Sequence, residues 1–453
     1  MEGFDTKNKT HEHDAAQAAD SSTSNGFSAA PSHSKGESVQ DAELENSLNQ
    51  ALPADEHEHA PPTNTNPALH ISLDQVASPR SLDANKVERD NSLKDNLGAR
   101  GDYLNPRGGN NTVIGSGDSD VIRGAGRGFN TFTTGTGRDT IILGKETTNR
   151  IFDFDPGSDR FALAGVNPKN VVIAQGKNPG KGGLDQPLDS VNNTLIIDKK
   201  TGHILAALTF TKASDLSERH FVKLAPGANA SLRDLRKDGF NVQKGSGKLT
   251  GTLGHDRLIG GDGDDFLYVG DDGFKLNTAK GTGGTEFPFA TDSSGSTELN
   301  STLKNGVLKV NGSYKDFDGF PLFSQGESTI DPKARILNGS DPKALVDGFL
   351  RVPKDVEGNP ITGTHLHFSP AADSRGNFAD ATVVRYFNNT PTDAKSGTIS
   401  GEFELTPQEQ AALLAGNFYV NIHTNIDGDG DGRAGFPTGE NRINLNKNVV
   451  QFA

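Results

Sequence analysis

The sequence predicts a mainly β protein with a disordered N-terminal lead, parallel β-roll segments with a β cap, and a C-terminal antiparallel β-sandwich. Only 32% of the 453 residues are hydrophobic and 54 are glycine, which favours many short strands and turns over packed helices. An aspartate or asparagine recurs at a spacing of nine or ten residues in two stretches, which predicts stacked coils. Beyond about residue 298, short apolar runs alternate with turn residues, and this spacing predicts the sandwich.

Charge and residue types exclude several classes of function. The formal net charge of -14 argues against nucleic acid or an anionic membrane as the main partner and suits a protein loaded with cations. There are no cysteines, so disulfides and thiolate ligands are excluded. Neither H-E-x-x-H nor G-x-S-x-G occurs, so nothing supports a zinc protease or a serine hydrolase.

Residues 1–100 form the predicted disordered lead, because they are rich in Ser, Asn, Asp, His and Ala and poor in aromatic residues. The N-terminus has no basic start followed by an apolar core, so no Sec-type signal peptide is expected. No apolar run approaches the length of a transmembrane segment. Two His-Glu-His tracts, at 11–13 and 57–59, lack a rigid scaffold, and we expect weak metal binding or no role there.

The most specific motif is the stretch from Gly251 to Tyr268, which contains two consecutive nine-residue units. Asp256 and Asp265 are nine residues apart, and each is followed two residues later by a leucine. Glycines let the backbone turn tightly, and an aspartate supplies the hard oxygen ligand that calcium prefers. The leucine falls on a short strand and points between layers, so neighbouring coils must stack to bury it. A solvated acidic turn is the alternative for one unit, whereas the tandem spacing favours calcium.

The second unit matches G-G-x-G-x-D-x-U-x at every specified position, and the chain here resembles the RTX, or hemolysin-type, calcium-binding repeat family. The resemblance implies a parallel β-roll that folds on calcium. It also implies type I export to the extracellular space or cell surface, through an uncleaved C-terminal signal. In this second repeat segment, 226–270, the expected calcium ligands are Asp256, Gly260, Gly261, Asp262, Gly263 and Asp265.

A degenerate form of the repeat occupies 101–144. Its acidic positions are Asn111, Asp120, Asn130 and Asp139, at steps of 9, 10 and 9 residues. In the family's roll each unit makes half a coil, which implies that Asp120 stacks on Asp139 and Asn111 on Asn130. We therefore expect calcium on the aspartate edge and an asparagine ladder on the other edge. Asp118 stands where the family has glycine and is a further candidate ligand.

Residues 145–225 are expected to form a β cap. The segment from Asn149 to Gly165 resembles the I-x-D-F-x-x-G-x-D-x-I-x-L pattern that often follows such repeats, and its aromatic residues can cover the open end of a roll. Two apolar runs between Asn193 and Phe210 flank a Lys-Thr-Gly turn and predict a hairpin. Residues 271–297 are rich in Gly, Thr and Ser and are interpreted as a linker.

The C-terminal domain, 298–453, is predicted to be a succession of short strands with one helix, and the strands are expected at 307–310, 344–352, 364–368, 382–387, 398–405 and 418–424. Thr406-Pro407-Gln408-Glu409 is a capping box with proline at the first helical position, and Gly416 is a natural stop. Three blocks, Thr364–His367, Leu413–Thr424 and Phe436–Ile443, resemble the CHRD (chordin-type) domain. The resemblance implies an immunoglobulin-like module of uncertain function with a role in binding a cell-surface, matrix or other protein partner.

Three histidines of this domain are candidate ligands for a transition metal. His365 and His367 are two residues apart on a predicted strand and therefore project to the same face, and His423 lies on another predicted strand. A His-x-His pair with a distant third histidine suits copper or zinc on a β-sandwich. Superoxide dismutase is an analogy at the level of geometry only. The alternative is structural, with the histidines hydrogen-bonding buried loops.

A second candidate calcium loop contains Asp427, Asp429 and Asp431. The run D-x-D-x-D-G is the first half of an EF-hand loop, but position twelve is Thr438 and not glutamate. A full EF-hand is therefore rejected. A looser calcium loop closed by Glu440 remains, with a solvated acidic turn as the alternative.

Together these patterns predict an exported, calcium-binding, non-enzymatic protein. Calcium would neutralise the stacked carboxylates and fold the roll, which would present the CHRD domain to its partner. The alternative function is a copper or zinc redox metalloenzyme built on the three histidines. No nucleic-acid partner is expected.

Overall fold

A computed structural model describes residues 69–90, 101–179, 184, 187–224, 239–270, 273–286, 290–319, 321, 363–368, 382–393, 395–426, 439–445 and 450–452. All of them belong to one structural unit that begins at His59. Within these residues the chain is mainly β, with strands numbered β1 to β28 along the chain and one α-helix, α1 (Pro407–Leu414). Short 3-10 turns lie at Leu73–Gln75, Pro168–Asn170, Ala213–Asp215, Glu218–His220 and Gly283–Thr285.

The strands form three sheets, and neighbouring strands pair in the order in which they are named. The first contains β1 (Ala77–Ser81), β10 (Val171–Gln175), β11 (Thr194–Asp198), β12 (His203–Leu208), β8 (Thr147–Ile151), β6 (Gly128–Thr133), β4 (Asn110–Ile114), β17 (Phe266–Tyr268) and β15 (Lys248–Thr250). The second contains β14 (Asn241–Lys244), β16 (Asp256–Ile259), β3 (Tyr103–Asn105), β5 (Val121–Gly124), β7 (Thr140–Leu143), β9 (Arg160–Leu163), β13 (Phe221–Leu224) and β2 (Glu88–Asp90).

The third sheet contains β23 (Thr382–Tyr386), β22 (Thr364–Phe368), β26 (Phe418–Ile422), β27 (Asn441–Asn444), β19 (Ala279–Thr282), β20 (Ser296–Lys304), β21 (Val307–Lys315), β25 (Gly397–Glu404) and β24 (Asn388–Pro391). Two further strands, β18 (Gly273–Leu276) and β28 (Val450–Phe452), pair beside β20. Its two edge strands, β23 and β24, are separated only by Phe387. The sheet is therefore nearly closed.

The first two sheets share a stack of parallel coils. From β3 to β8 the chain alternates between the sheets, so that each coil adds one strand to each. The apolar residue two positions after each acidic or asparagine position points inward, and all of these residues are buried in one cluster. On one side the paired series is Leu258, Leu104, Ile122, Ile141 and Phe161, and on the other it is Leu267, Val113, Phe132 and Ile151.

The second repeat segment lies on the same stack as the first. β16 pairs in parallel with β3, and β17 pairs in parallel with β4. Residues 256–268 therefore form the coil that stacks on the coil of β3 and β4. β14 and β15 add a further coil beyond them. This arrangement differs from the expected separate segments at 101–144 and 226–270. The physical reason is that a terminal coil exposes both an apolar face and unpaired strand edges, which another coil of the same spacing covers.

The other end of the stack carries the region predicted as a cap. The expected hairpin is confirmed, since β11 and β12 pair antiparallel. The expectation of a disordered lead through residue 100 is wrong for 69–90, which supplies β1 and β2 to the first two sheets. Val76, Leu82 and Val87 are buried there. These few apolar side chains can hold the segment in place because its strands pair with β10 and β13 of the two sheets. Residues 1–68 and 91–100 lie outside the described residues.

The third sheet begins earlier than predicted, because β18 and β19 come from the stretch interpreted as a linker. The predicted helix is confirmed. The Thr406 side chain accepts a hydrogen bond from the backbone N–H of Glu409, and Gly416 ends the helix region with a φ of 76°. The strands predicted near 364, 382, 398 and 418 are all present. A further predicted strand, at 344–352, lies outside the described residues.

The third sheet packs directly on the first. Phe368 of β22 contacts Phe152 and Phe210, with ring centroids 5.8 and 5.5 Å apart. The Thr133 hydroxyl donates to the backbone carbonyl of Ala411 in α1 at 2.6 Å, and the Asn417 amide donates to the carbonyl of Phe152 at 3.2 Å. The strand that carries His365 and His367 is therefore held against the stack of coils.

Removing a buried charge near α1 provides a test of this fold. Glu409 forms an ion pair with Arg385 at 3.1 Å, with side chains 1% and 8% exposed. Glu409→Ala leaves the Arg385 charge buried without this carboxylate, and we expect a loss of roughly 3–5 kcal/mol in the free energy of unfolding. Urea denaturation measures it.

The matched control is Glu402→Ala. Its pair with Lys309, at 3.0 Å, has side chains that are 63% and 54% exposed. Solvent screens such a pair, so we expect a loss below about 1 kcal/mol. Equal losses for the two variants would contradict the packing described around α1.

Candidate metal-binding sites

The three predicted histidines meet on one face of the third sheet. Residues of β22 alternate, so that Leu366 and Phe368 enter the apolar cluster while His365 and His367 point to the opposite face. β26 pairs antiparallel with β22, and His423 follows immediately after β26. All three histidines are buried. We call this group the histidine cluster.

One ring nitrogen from each member of the histidine cluster lies within 4.8 Å of those of the other two. Nε2 of His365 is 2.9 Å from Nε2 of His423. The ring of His365 lies 4.4 Å from that of His367 and 4.7 Å from that of His423, measured between centroids. In the part of the chain that the structure describes, this is the only group of three or more histidine or carboxylate side chains so arranged.

Aromatic side chains orient the histidine cluster. The Tyr419 ring stacks on His367 with centroids 4.8 Å apart and an angle of 16° between the planes. The guanidinium carbon of Arg442 lies 3.5 Å from the centroid of the same tyrosine ring. Burial raises the pKa of the Tyr419 hydroxyl well above its ordinary value. That hydroxyl therefore stays neutral at physiological pH.

A second candidate site is a column of five buried aspartates in the second sheet, which we call the carboxylate column. Its members, one from each of five successive coils, are Asp256, Asp102, Asp120, Asp139 and Asp159. The backbone N–H of each donates to the carboxylate of the next, at 2.6 to 3.0 Å. Asp120 and Asp139 are thus neighbours, on the edge where calcium was predicted.

Hydrogen bonds within each turn also hold most of these carboxylates. Oδ2 of Asp120 accepts from the backbone N–H of Ser116 at 2.7 Å, and Oδ2 of Asp256 accepts from that of Thr252 at 2.7 Å. At Asp139 the equivalent N–H, that of Gly135, donates to Asp153 instead. Oδ2 of Asp139 is buried and has no hydrogen-bond donor among the described residues. Asp139 is therefore the member whose lone pairs are least used by the protein.

The carboxylate column is electrostatically costly. Burial, together with the neighbouring Asp120, Asp159 and Asp153 carboxylates, raises the pKa of Asp139 to about 10. Burial is also the main cause that raises the pKa of Asp159 to about 7 and that of Asp102 to about 6. The pKa of Asp120 is raised for the same reason, with the Asp102 charge adding to burial. The folded column therefore favours a bound proton on these groups when no cation is present.

The opposite edge carries an asparagine ladder. The Asn111 amide donates to the Asn130 carbonyl oxygen at 2.9 Å, and the Asn130 amide donates to that of Asn149 at 2.8 Å. The backbone N–H of Asp265 donates to the Asn111 side chain at 2.8 Å. Because an amide both donates and accepts, this edge is satisfied without any cation.

The remaining candidates of the second repeat segment surround one turn. The Asp265 carboxylate accepts backbone hydrogen bonds from Gly247 and Gly261, both at 2.6 Å. A side chain at Gly260 would come within 2.4 Å of the same carboxylate, so glycine is required there. Gly263 and Asp262 are exposed, and so is Asp118 in its own turn.

Glu440 was expected to close a calcium loop containing Asp427, Asp429 and Asp431, and that expectation stays a prediction. Its buried carboxylate accepts four hydrogen bonds, which satisfy both oxygens. The donors are the Ser293 hydroxyl, the Thr424 hydroxyl, and the backbone N–H groups of Asp318 and Gly319. Glu440 is therefore a structural anchor, and the three aspartates lie outside the described residues.

Sequence reasoning missed Asp102 and Asp159 as members of the carboxylate column. Each is followed two residues later by a buried apolar residue, Leu104 or Phe161, as Asp120 and Asp139 are. Asp102 precedes Asp120 by eighteen residues, and Asp159 follows Asp139 by twenty. The aspartate-x-apolar pattern at about twice the nine-residue step would have identified both.

Sequence reasoning also missed a basic cleft on the second sheet. The cleft has a volume of about 900 Å³ and is lined by Arg107, Arg123, Arg127, Lys244 and Arg257, with Asp262 as the acidic lining residue. The guanidinium of Arg257 lies 5.5 Å from the Tyr103 ring centroid. A net charge of -14 for the whole chain therefore coexists with a locally cationic surface.

The raised pKa values predict how stability depends on pH when divalent cations have been removed. The folded-state pKa values of Asp102, Asp159 and Asp139 lie above the ordinary value of 3.8, so the folded protein binds more protons than the unfolded one. This contribution to stability is complete below about pH 3.8 and is lost as the pH rises through about 6, 7 and 10. We expect urea denaturation to show lower stability at pH 8 than at pH 5.

The control for this pH effect is Asp139→Asn, which keeps the shape of the side chain and removes its titration. The variant should show a smaller decrease in stability between pH 5 and pH 8 than the wild type. Wild-type stability that is constant or rises over this interval would contradict the assignment.

Comparison with known proteins identifies one region of the chain. The CHRD domain family matches residues 277–431, which include the histidine cluster. No curated protein and no solved structure matches the chain, and nothing in the comparisons identifies an RTX repeat region. None of the helices within the described residues combines the length and apolar character that a membrane span needs. The chain thus contains a CHRD domain, an extracellular-type domain of uncertain function.

Proposed function

We propose that this chain is an exported, non-enzymatic calcium-binding protein whose stacked coils are neutralised by calcium and hold the CHRD domain in place. The observation that carries the proposal is Oδ2 of Asp139, a buried carboxylate oxygen with no hydrogen-bond donor among the described residues. A buried carboxylate that lacks a partner is costly. A cation at this position would remove that cost.

The donor set around Asp139 fits calcium. Three further carboxylates, those of Asp120, Asp153 and Asp159, lie close enough to raise its pKa. These groups offer only oxygen ligands, which a hard cation such as calcium prefers and which copper and zinc do not select. Asp139 would hold the ion through Oδ2, and the Asp153 and Asp159 carboxylates would move towards it on binding, because no three carboxylates among the described residues are grouped as closely as the histidine cluster. Calcium would supply positive charge and no other chemistry.

Close contact between turns supports the need for a cation there. Gly135, in the turn before Asp139, has a φ of 93°, and a side chain at this position would come within 1.8 Å of the Ser116 carbonyl in the neighbouring coil. The Asp120 and Asp139 carboxylates that follow these two turns repel one another unless a proton or a counter-charge is present. Calcium bound only to the folded state would stabilise it by mass action.

The same ion would order the surface on which the CHRD domain rests. Asp153 lies between Phe152, which contacts Phe368 of the third sheet, and Phe154, which is buried among the coils. Calcium held by Asp153 would therefore fix the segment that joins the stack to the domain. The CHRD domain would then be presented to a cell-surface, matrix or other protein partner outside the cell.

Calcium titration tests the proposal. In protein freed of divalent cations, millimolar calcium should raise the unfolding midpoint and release or absorb measurable heat in a calorimeter. Free calcium at one hundred times its dissociation constant would add about 2.7 kcal/mol to the free energy of unfolding. Magnesium, which demands stricter geometry, should have a smaller effect.

Two variants make the test specific to this site. Asp139→Asn should be more stable than the wild type without calcium, because it does not have to keep a proton on a carboxyl group whose pKa the fold raises to about 10, and it should lose most of the calcium-induced stabilisation. Asp262→Asn, which changes an exposed aspartate, should respond to calcium as the wild type does. An unchanged calcium response in Asp139→Asn, or no heat of binding in the wild type, would refute the proposal.

A further inference from the structure

We infer that His365, His367 and His423 form a transition-metal site, separate from the proposed calcium site, that takes copper(II) in preference to zinc(II). Three buried imidazoles converge with one nitrogen of each within 4.8 Å of the others, and the widest pair closes slightly when both nitrogens bind one ion at about 2.0–2.1 Å. His365 and His367 lie on β22, and His423 directly follows β26. These two strands are neighbours in the interior of the sheet. Ligands on paired strands are held more firmly than ligands on loops.

The ligand chemistry selects the class of metal. Among the described residues the cluster contains imidazole nitrogens without a carboxylate, and the chain has no cysteine. Imidazole suits copper, zinc, nickel and iron, and among the divalent ions copper(II) binds such sites most tightly. Calcium and magnesium prefer oxygen ligands. The site therefore differs in chemistry from the carboxylate column.

The distance between two of the nitrogens favours copper. Nε2 of His365 and Nε2 of His423 are 2.9 Å apart. If both were about 2.0–2.1 Å from one ion, they would subtend about 90°, the angle of neighbouring ligands in a tetragonal copper(II) site. A tetrahedral zinc ion would need them about 3.3 Å apart, an opening of roughly 0.4 Å.

The neighbouring residues act as positioning residues for the site. Tyr419 stacks on His367 and fixes the plane of that imidazole. Tyr386 meets the ring of His365 edge-on at 5.9 Å. Such support around a metal site commonly changes affinity by about 10- to 100-fold. Three protein ligands also leave coordination positions open for water or another small ligand.

A purely structural role is the competing explanation. Nε2 of His365 and Nε2 of His423 at 2.9 Å can share one hydrogen bond if one ring is the donor and the other the acceptor. That explanation does not require the third ring of His367 to approach. It also predicts no metal that withstands a competing chelator.

The test uses the full chain, purified without an affinity tag and freed of metal by dialysis against a chelator. One equivalent of copper sulfate is then added in the presence of nitrilotriacetate, and retained copper is measured by elemental analysis and electron paramagnetic resonance. We expect one copper per chain, with nitrogen couplings in the spectrum and a raised unfolding midpoint. A parallel experiment with zinc sulfate should show weaker retention.

Variants distinguish the histidine cluster from other histidines. The double variant His365→Gln, His423→Gln should lose at least about 100-fold in copper affinity. His203→Gln is the matched control, because His203 is equally buried and contacts the Thr148 hydroxyl in the stack of coils. The control should retain copper, and so should Asp139→Asn. Tyr419→Phe should bind as the wild type does, whereas Tyr419→Ala should bind less tightly.

The outcomes separate clearly. Copper that resists the chelator in the wild type and in His203→Gln, and is lost in the double variant, supports the site. Preferential retention of zinc at the same histidines overturns the preference for copper. Copper retained undiminished by the double variant comes from elsewhere, such as the histidine tracts near residues 11 and 57, and overturns the assignment. If the double variant fails to fold, the copper retained by the wild type is the deciding measurement. A wild type that retains no copper against the chelator refutes the site.

Discussion

The stacking of coils is the constraint on which the rest of this structure depends. Each coil is too small to bury its own apolar residue, so Ile122 is covered by Ile141 on one side and by Leu104 on the other. The same register that aligns these side chains also aligns the residue two positions earlier. Asp120 must therefore lie next to Asp139 and Asp102. Apolar burial thus forces like charges together, and the two edges resolve this differently. The asparagine edge satisfies itself by hydrogen bonds, whereas the aspartate edge needs protons or cations.

The CHRD domain depends on the same stack. Phe368 packs on Phe152 and Phe210 of the stack, and alternation along β22 then places His365 and His367 on the far face. One strand therefore links an apolar interface to the histidine cluster. The two proposed metal sites are chemically complementary, because one offers oxygen ligands and the other nitrogen ligands. A protein with both would bind calcium and a transition metal without competition between them.

Local sequence patterns predicted those features that depend on neighbours close in the chain. The capping box at Thr406 and Glu409 and the hairpin after Asn193 were found, because turn and cap chemistry is encoded within a few residues. The nine-residue spacing placed Asp120 beside Asp139 and Asn111 beside Asn130, since a fixed repeat determines the neighbour one coil away. Composition was less reliable. Residues 69–90 have the polar character of a lead and residues 273–282 that of a linker, yet both form strands, because β1 and β2 pair at sheet edges and β19 pairs with both β20 and β27 inside the third sheet.

The sequence by itself determined the kinds of ligand available and the period at which they recur. Only the tertiary structure decided which of them meet. Asp256 lies beside Asp102 although 154 residues separate them, and five basic side chains from three segments share one cleft in an acidic chain. Glu440 accepts hydrogen bonds from the backbone N–H of Asp318 and from the Thr424 hydroxyl, contacts that local spacing does not predict. The physical reason is that a coil or strand can pair with any edge of matching shape and period. The choice of partner therefore depends on the whole fold and cannot be predicted from local spacing.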